Sequence, residues 1–214
     1  MKKILFLGGL FLLGALGAVA QGPWQFIEET DGVKVYYREA ASGPIKELKL
    51  ELTVDAKLST IMAVLNDVKA YENWVFKCQE ARVVKQVSDT EMYYYNEMDF
   101  PWPLSNRDLI AHSTIHQDPI TREITTQSKS AHYMEPNREG VVRMTTIDVS
   151  WNITPLSNGK SHIIYTLKSD PGGSIPSWAV NFALDNGPIR SMRKFMEMLK
   201  MDKYRNQQIA FIQD

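Results

Sequence analysis

Few side chains in this sequence have chemistry to offer, and their spacing narrows them further. The histidines stand at positions 112, 116, 132 and 162, and the single cysteine is Cys78. His112 and His116 lie four apart in a stretch of strand-like alternation, which puts them on one face with Asp108, Ile110 and Thr114. A zinc site needs further ligands at matched spacing, and none is present, so both histidines read as polar surface residues. Cys78 lacks any local feature that would activate a thiolate, and one cysteine cannot form an intrachain disulfide. No G-x-S-x-G elbow presents a serine, and Gly172-Gly173 lacks the Lys-Ser/Thr pair of a phosphate loop. An enzyme would need a titratable pair such as Glu97 or Asp99 beside a histidine. The alternation places both acids on the face opposite Asn96. No catalytic residue, metal or cofactor is therefore expected.

Two features stand out instead. Phe100-Pro101-Trp102-Pro103-Leu104 sets two prolines beside two aromatics in the middle of otherwise regular strands. It reads either as a rigid hairpin loop plugging the core or as an apolar flap over a cavity mouth. Just after it, Arg107 shares a strand face with Leu109, Ala111 and Ile115. If that face is inward, the guanidinium needs a partner, because an unpaired buried charge costs several kcal/mol. A structural carboxylate would serve, and so would the anionic or polar headgroup of a ligand.

The elements that must position these residues are mostly strands. Leu48, Leu50, Leu52 and Val54 alternate with Glu47, Lys49, Glu51 and Thr53, and Ile147, Val149, Trp151 and Ile153 alternate as cleanly with polar partners. Weaker alternation marks 33–38, 81–87, 91–98, 107–116, 122–130 and 161–168, with turn residues between, as expected of an antiparallel sheet with one buried face. Two segments have helical spacing. Leu58, Ile61, Met62 and Leu65 form one stripe, with Asp55 as its expected N-cap. A second helix is expected over 176–200, with Ser174 as N-cap, Pro176 in the first turn and Gly187-Pro188 as a kink or break. Met192, Met196, Met198 and Met201 crowd its end, for core packing or, as the weaker reading, for transient membrane docking. A long amphipathic helix after an antiparallel sheet implies an α+β fold whose sheet curls around the helix.

With 214 residues, 44% of them apolar, the chain can bury one core, and no repeat or linker divides it. Its 24 basic and 25 acidic residues leave no broad basic surface, so a nucleic-acid partner is excluded. The first twenty residues differ from the rest. Lys2 and Lys3 precede an apolar run from Ile4 to Leu16, and Ala18-Val19-Ala20 offers a signal-peptidase site. Removal of 1–20 leaves 194 residues and a formal charge of −3. The product is expected outside the cytoplasm, in a periplasm if the source is bacterial, as a monomer. Residues 21–203 read as the domain and 204–214 as a C-terminal tail.

Pro101-Trp102-Pro103-Leu104-Ser105-Asn106-Arg107-Asp108 resembles the signature of the StAR-related lipid-transfer (START) domain family. Asp170-Pro171-Gly172-Gly173-Ser174-Ile175-Pro176-Ser177-Trp178 is similar to that family's entry to its last helix, and Asp31-Gly32-Val33-Lys34-Val35-Tyr36 and Trp74 fit the same pattern. The resemblance implies a helix-grip fold, in which a curved antiparallel sheet wraps a long C-terminal helix around an apolar tunnel. It implies a single lipid or other hydrophobic small molecule as cargo, bound or carried without chemistry, with the Trp102 loop and the last helix as gates. A helix-grip enzyme of the cyclase or hydrolase type, acting on an apolar substrate, is the alternative. Choline-lipid carriers of the family use an aromatic cage, whose positions here read Asn96, Leu109 and Ala111. Their Arg and Asp around the helix tryptophan are replaced by Tyr71 and Val75. On this reading Tyr94, Asn96 and Met98 face the tunnel from one strand, and Arg107, Leu109 and Ala111 from the next. Ala179 and Phe182 close one end.

Overall fold

The computed structural model describes residues 22–39, 46–173, 175 and 177–214, with backbone alone for 177–186. The leader and the capping roles of Ser174 and Pro176 lie outside the described residues. The first hairpin joins β1 (Gln25–Thr30) to β2 (Val33–Glu39) through Asp31 and Gly32, at φ 54° and 76°, with Thr30 paired to Val33. A two-residue turn with both central residues left-handed matches strand twist, and Asp-Gly adopts it readily. β3 (Lys46–Val54), β4 (Cys78–Ser88), β5 (Glu91–Met98), β6 (Asn106–Gln117) and β7 (Ile124–Ser130) follow, then β8 (Val141–Arg143), β9 (Thr146–Pro155) and β10 (Ser161–Asp170). The sheet order is β1-β2-β3-β10-β9-β7-β6-β5-β4, antiparallel at every step, with short β8 parallel to the start of β6. The sheet is curved, and with its C-terminal helices it makes the expected helix-grip α+β fold.

Between β3 and β4 the chain crosses as α1 (Leu58–Asn66) and the single turn α2 (Tyr71–Trp74). Leu58, Ile61, Met62 and Leu65 are buried, as their spacing demands. The cap differs from expectation. Lys57, not Asp55, occupies the N-cap and gives no side-chain bond. Asp55 lies too early in the chain. Instead the Ser59 amide donates to Asp214 Oδ1 at 2.8 Å, so the C-terminal residue satisfies a donor that local sequence leaves open.

The last long helix, α3 (Ser177–Met198), runs through Pro188 rather than stopping there. A Cβ on Gly187 would stand 3.0 Å from Phe76 Cδ1, so the missing side chain lets the segment after α2 approach the helix. Ser191 pins the same spot: its hydroxyl donates to the Gly187 carbonyl at 2.9 Å and accepts from the Phe76 amide at 2.9 Å. Further along, the Phe195 ring lies 5.3 Å from Trp74 and 5.2 Å from Trp151, in the middle of the largest apolar cluster. Arg193 ties the helix to the Asp31 hairpin at 2.8 Å. Met192 and Met198 are buried, Met196 packs on the same cluster, and Met201 is half exposed. The final segment, including α4 (Asp202–Arg205), is no loose tail. Tyr204 and Ile212 are buried in that cluster, and Gln213 exchanges bonds of 2.8 and 2.9 Å with Gln117.

Candidate functional site

Between the inner face of the sheet, α2 and α3 lies a cavity of about 850 Å³. Tyr94, Asn96 and Met98 on β5 and Leu109 on β6 line it, because alternate residues of both strands point inward. Ala111 lies on the same face, paired across the ladder with Tyr94, but is fully buried and not part of the wall. Trp102 lies away from the wall, 91% exposed on the loop between β5 and β6, whereas its neighbours Phe100 and Pro101 line the rim. Arg107 is buried but screened from the cavity by two rim groups: the Phe100 ring, 4.6 Å from the guanidinium carbon, and Gly173. The side chains of Ala179 and Phe182 lie outside the described residues.

Several wall residues escaped the sequence reading. Ser113, Thr126 and Ser128 are buried and line the cavity. Ser113 continues the Leu109–Ala111 alternation and was recoverable from it. The hydroxyls on β7 were not, because alternation of polar with polar does not say which face is inward. Tyr71, Trp151 and Tyr165 complete an aromatic side of the wall. The Tyr71 hydroxyl donates to the Leu65 carbonyl at 2.6 Å. Burial pushes the Tyr71, Tyr94 and Tyr165 phenols up, with a bond from Ser128 partly offsetting this at Tyr94, so all three stay protonated. The charged groups that touch the cavity sit at its rim and are engaged. Lys77 pairs with Asp99 at 2.9 Å, Lys46 approaches Glu39 at 3.9 Å, and Asp170 Oδ1 accepts from the Gly172 amide at 2.8 Å.

Asp99 corrects one expectation. It lies at the rim, not on the far face, because β5 ends at Met98 and its alternation stops there. Glu97 does face away: it accepts from Tyr95 at 2.9 Å and from Asn106 and Arg138 at 2.8 Å each. His112 stacks on Tyr93 at 4.5 Å with Nε2 2.8 Å from Glu91, and His116 is exposed. Burial pushes the Cys78 thiol up to about 12, which leaves it a poor nucleophile. Among the described residues no three His, Cys, Asp or Glu side chains are grouped to hold a metal.

Three buried polar atoms lack a hydrogen-bond partner among the described residues: Trp74 Nε1, Asn96 Oδ1 and Arg107 Nε. Trp74 and Asn96 line the cavity, and Arg107 lies behind its rim. Unmet buried groups are rare and costly, and these gather at the cavity and its rim, where water or a guest's polar atom can meet them.

The START domain family model matches residues 14–204. The chain is 28% identical over 182 residues to an uncharacterised protein of Pseudomonas aeruginosa, covering 85% of this chain and 89% of that one. It is 29% identical over 178 residues to the phosphatidylcholine transfer protein of Mus musculus, covering 79% and 80% of the two chains. The crystal structure of a STAR-related lipid transfer protein fragment from Xanthomonas axonopodis superposes with a TM-score of 0.76 at 29% identity. That match covers 83% of this chain and 99% of that one.

Proposed function

The chain belongs to the START domain family, and from that premise we propose that it binds one lipid or similar apolar molecule in this cavity and carries it through water. The observation that supports this most is the wall itself: aromatic and aliphatic, with neutral hydroxyls and amides inside and paired charges only at the rim. Each methylene moved from water into such a cavity contributes about 0.8 kcal/mol, so an acyl chain or fused ring system supplies the binding energy. The few polar groups then select among cargoes.

Binding of lipid in a hydrophobic cavity is the activity that the family supports. Transport is our reading, and so is its place. The leader-like start favours export, and the periplasm is the compartment we infer. The mouse relative is named for phosphatidylcholine, but the residues at the cage positions, Asn96, Leu109 and Ala111, carry no aromatic face for a quaternary ammonium. We therefore do not assign that cargo here. We also read the protein as a carrier and not a catalyst, since Glu97 is committed to the outer face and Asp99 to Lys77. Exposed Trp102 on the rim loop suits transient contact with a bilayer interface during loading, because indole rings settle at headgroup depth.

Extraction of fluorescently labelled lipids from vesicles tests the reading. Wild-type protein should remove label in proportion to protein added. Ser113→Phe, which pushes a ring into the cavity from β6, should remain folded by circular dichroism and extract at least about tenfold less, as when roughly 1.4 kcal/mol of binding is lost. Equal extraction by both would contradict the assignment of this cavity.

A further inference from the structure

Arg107 and Asp108 are neighbours in sequence and opposites in environment. Asp108 is clamped by Arg143 through Nε at 2.7 Å and Nη2 at 3.0 Å. Arg107 is equally buried, only 3% exposed, yet no carboxylate pairs with it among the described residues. Its one described hydrogen bond runs from Nη1 to the Ser105 carbonyl at 2.5 Å. The Phe100 ring covers the face of its guanidinium. Among the described residues Nε is buried and has no partner, and Nη2 points to Gly173, 3.8 Å from where a Cβ would stand. The unused donors therefore form one edge of the guanidinium. A carboxylate or phosphate takes that edge with two parallel bonds.

The surroundings fit such a guest. Phe100, which covers the guanidinium face, and Gly173, beside Nη2, both line the cavity. Among the described residues the acids at the rim do not compete, since Asp99 is held by Lys77 and Asp170 by the Gly172 amide. Deeper in the cavity Asn96, Ser113, Thr126 and Ser128 are neutral, so an anion is met by a cation only at the rim. Burial lowers the affinity of the Arg107 guanidinium for its proton, as expected of a charge withdrawn from water without a counter-ion.

We propose that Arg107 is the headgroup site of this cavity, and that its cargo is an acyl lipid with an anionic oxygen headgroup, carboxylate or phosphate, lying tail inward with its head against Nε and Nη2. The proposal rests on the lipid-binding reading above. The Phe100 ring stacks on the face of the guanidinium rather than on this edge, so a headgroup that moves Gly173 aside reaches it.

The test offers full-length protein a choice. Vesicles of phosphatidylcholine containing equal parts of diacylglycerol, phosphatidic acid and palmitic acid are incubated with it, and bound lipid is identified by native mass spectrometry. Charge-assisted bonds to a bidentate site should enrich an acidic lipid about tenfold or more over diacylglycerol. Dominance of phosphatidic acid or of palmitate identifies which headgroup is used. In Arg107→Gln the ratio of acidic to neutral lipid should fall toward one, and Arg107→Lys, a point charge without the fork, should restore only part of it. Should the variants fail to fold, wild-type affinities for palmitate and hexadecanol, which share a chain and differ in charge, decide the matter alone. Equal affinity for these two, or an acidic preference that survives in Arg107→Gln, overturns the headgroup site. Uptake of no lipid at all would instead overturn the lipid-binding reading beneath it.

Discussion

On the outer face of β5 and β6, Tyr95, Glu97 and Asp108 are buried and each is met. Tyr95 donates to Glu97, Arg138 reaches both, and Arg143 clamps Asp108 while its remaining donors take the carbonyls of His132, Glu135 and Pro136. On the inner face of the same two strands, Asn96 and Arg107 are as deeply buried, yet among the described residues Asn96 Oδ1 and Arg107 Nε have no partner. Composition does not separate the faces, since both carry charge and amide or hydroxyl groups. Completeness does. A polar group closed off from water costs free energy unless it is bonded, so the satisfied face is structural. On the lipid-binding reading proposed above, the open groups of the inner face are the ones a guest would meet.

The sharpest way to break this contrast is to unpair the outer face. Arg143→Leu leaves Asp108 buried and unmet, and should cost about 3–5 kcal/mol in urea unfolding. A loss below about 1 kcal/mol would mean that Asp108 is not truly withdrawn from water. The matching change on the inner face should act the other way. Asn96→Leu removes an acceptor that has no partner among the described residues, and should leave the ligand-free chain unchanged or more stable by about 1–3 kcal/mol. Destabilisation as large as that of Arg143→Leu would erase the distinction between the faces.

How much of this was legible beforehand differs by residue. Alternation alone put Arg107 on the face of Leu109, and it put Glu97 opposite Asn96. The Asp31-Gly32 turn and the stripe of α1 were equally plain, because each rests on neighbours in sequence. What alternation could not say is which partner Arg107 meets, since the acid beside it in sequence points the other way and is claimed by Arg143 from thirty-five positions on. Asp214 capping α1 is the same kind of fact at greater range, joined to Ser59 across 155 positions. Asp99 was misplaced because a period holds only while the strand does. The Thr126 and Ser128 hydroxyls were invisible as wall residues, because a cavity that receives a partly polar guest relaxes the rule that polar means outward.

The smallest expected effect lies at the margin of the outer face. Glu135 receives a two-pronged bond from Arg82 at 2.9 and 2.6 Å, and that bond holds its carboxyl below the usual range although burial opposes it. A carboxyl depressed in the folded state adds stability above its unfolded pKa of roughly 4.3 and loses it as pH falls through the folded value. Glu135→Gln should therefore cost less than about 1 kcal/mol at pH 7, since the pair is partly exposed, and the gap from wild type should close under acid. A gap that widens on acidification would contradict the pairing.

The central question is whether a bound molecule meets the open groups of the inner face. Native mass spectrometry of the protein, purified from its own host and sprayed beside a Leu109→Trp variant that narrows the cavity, tests this directly. The wild-type chain should carry one apolar molecule, and the variant little or none. Chains of bare polypeptide mass in both samples, together with no uptake from host lipid extract, would contradict it.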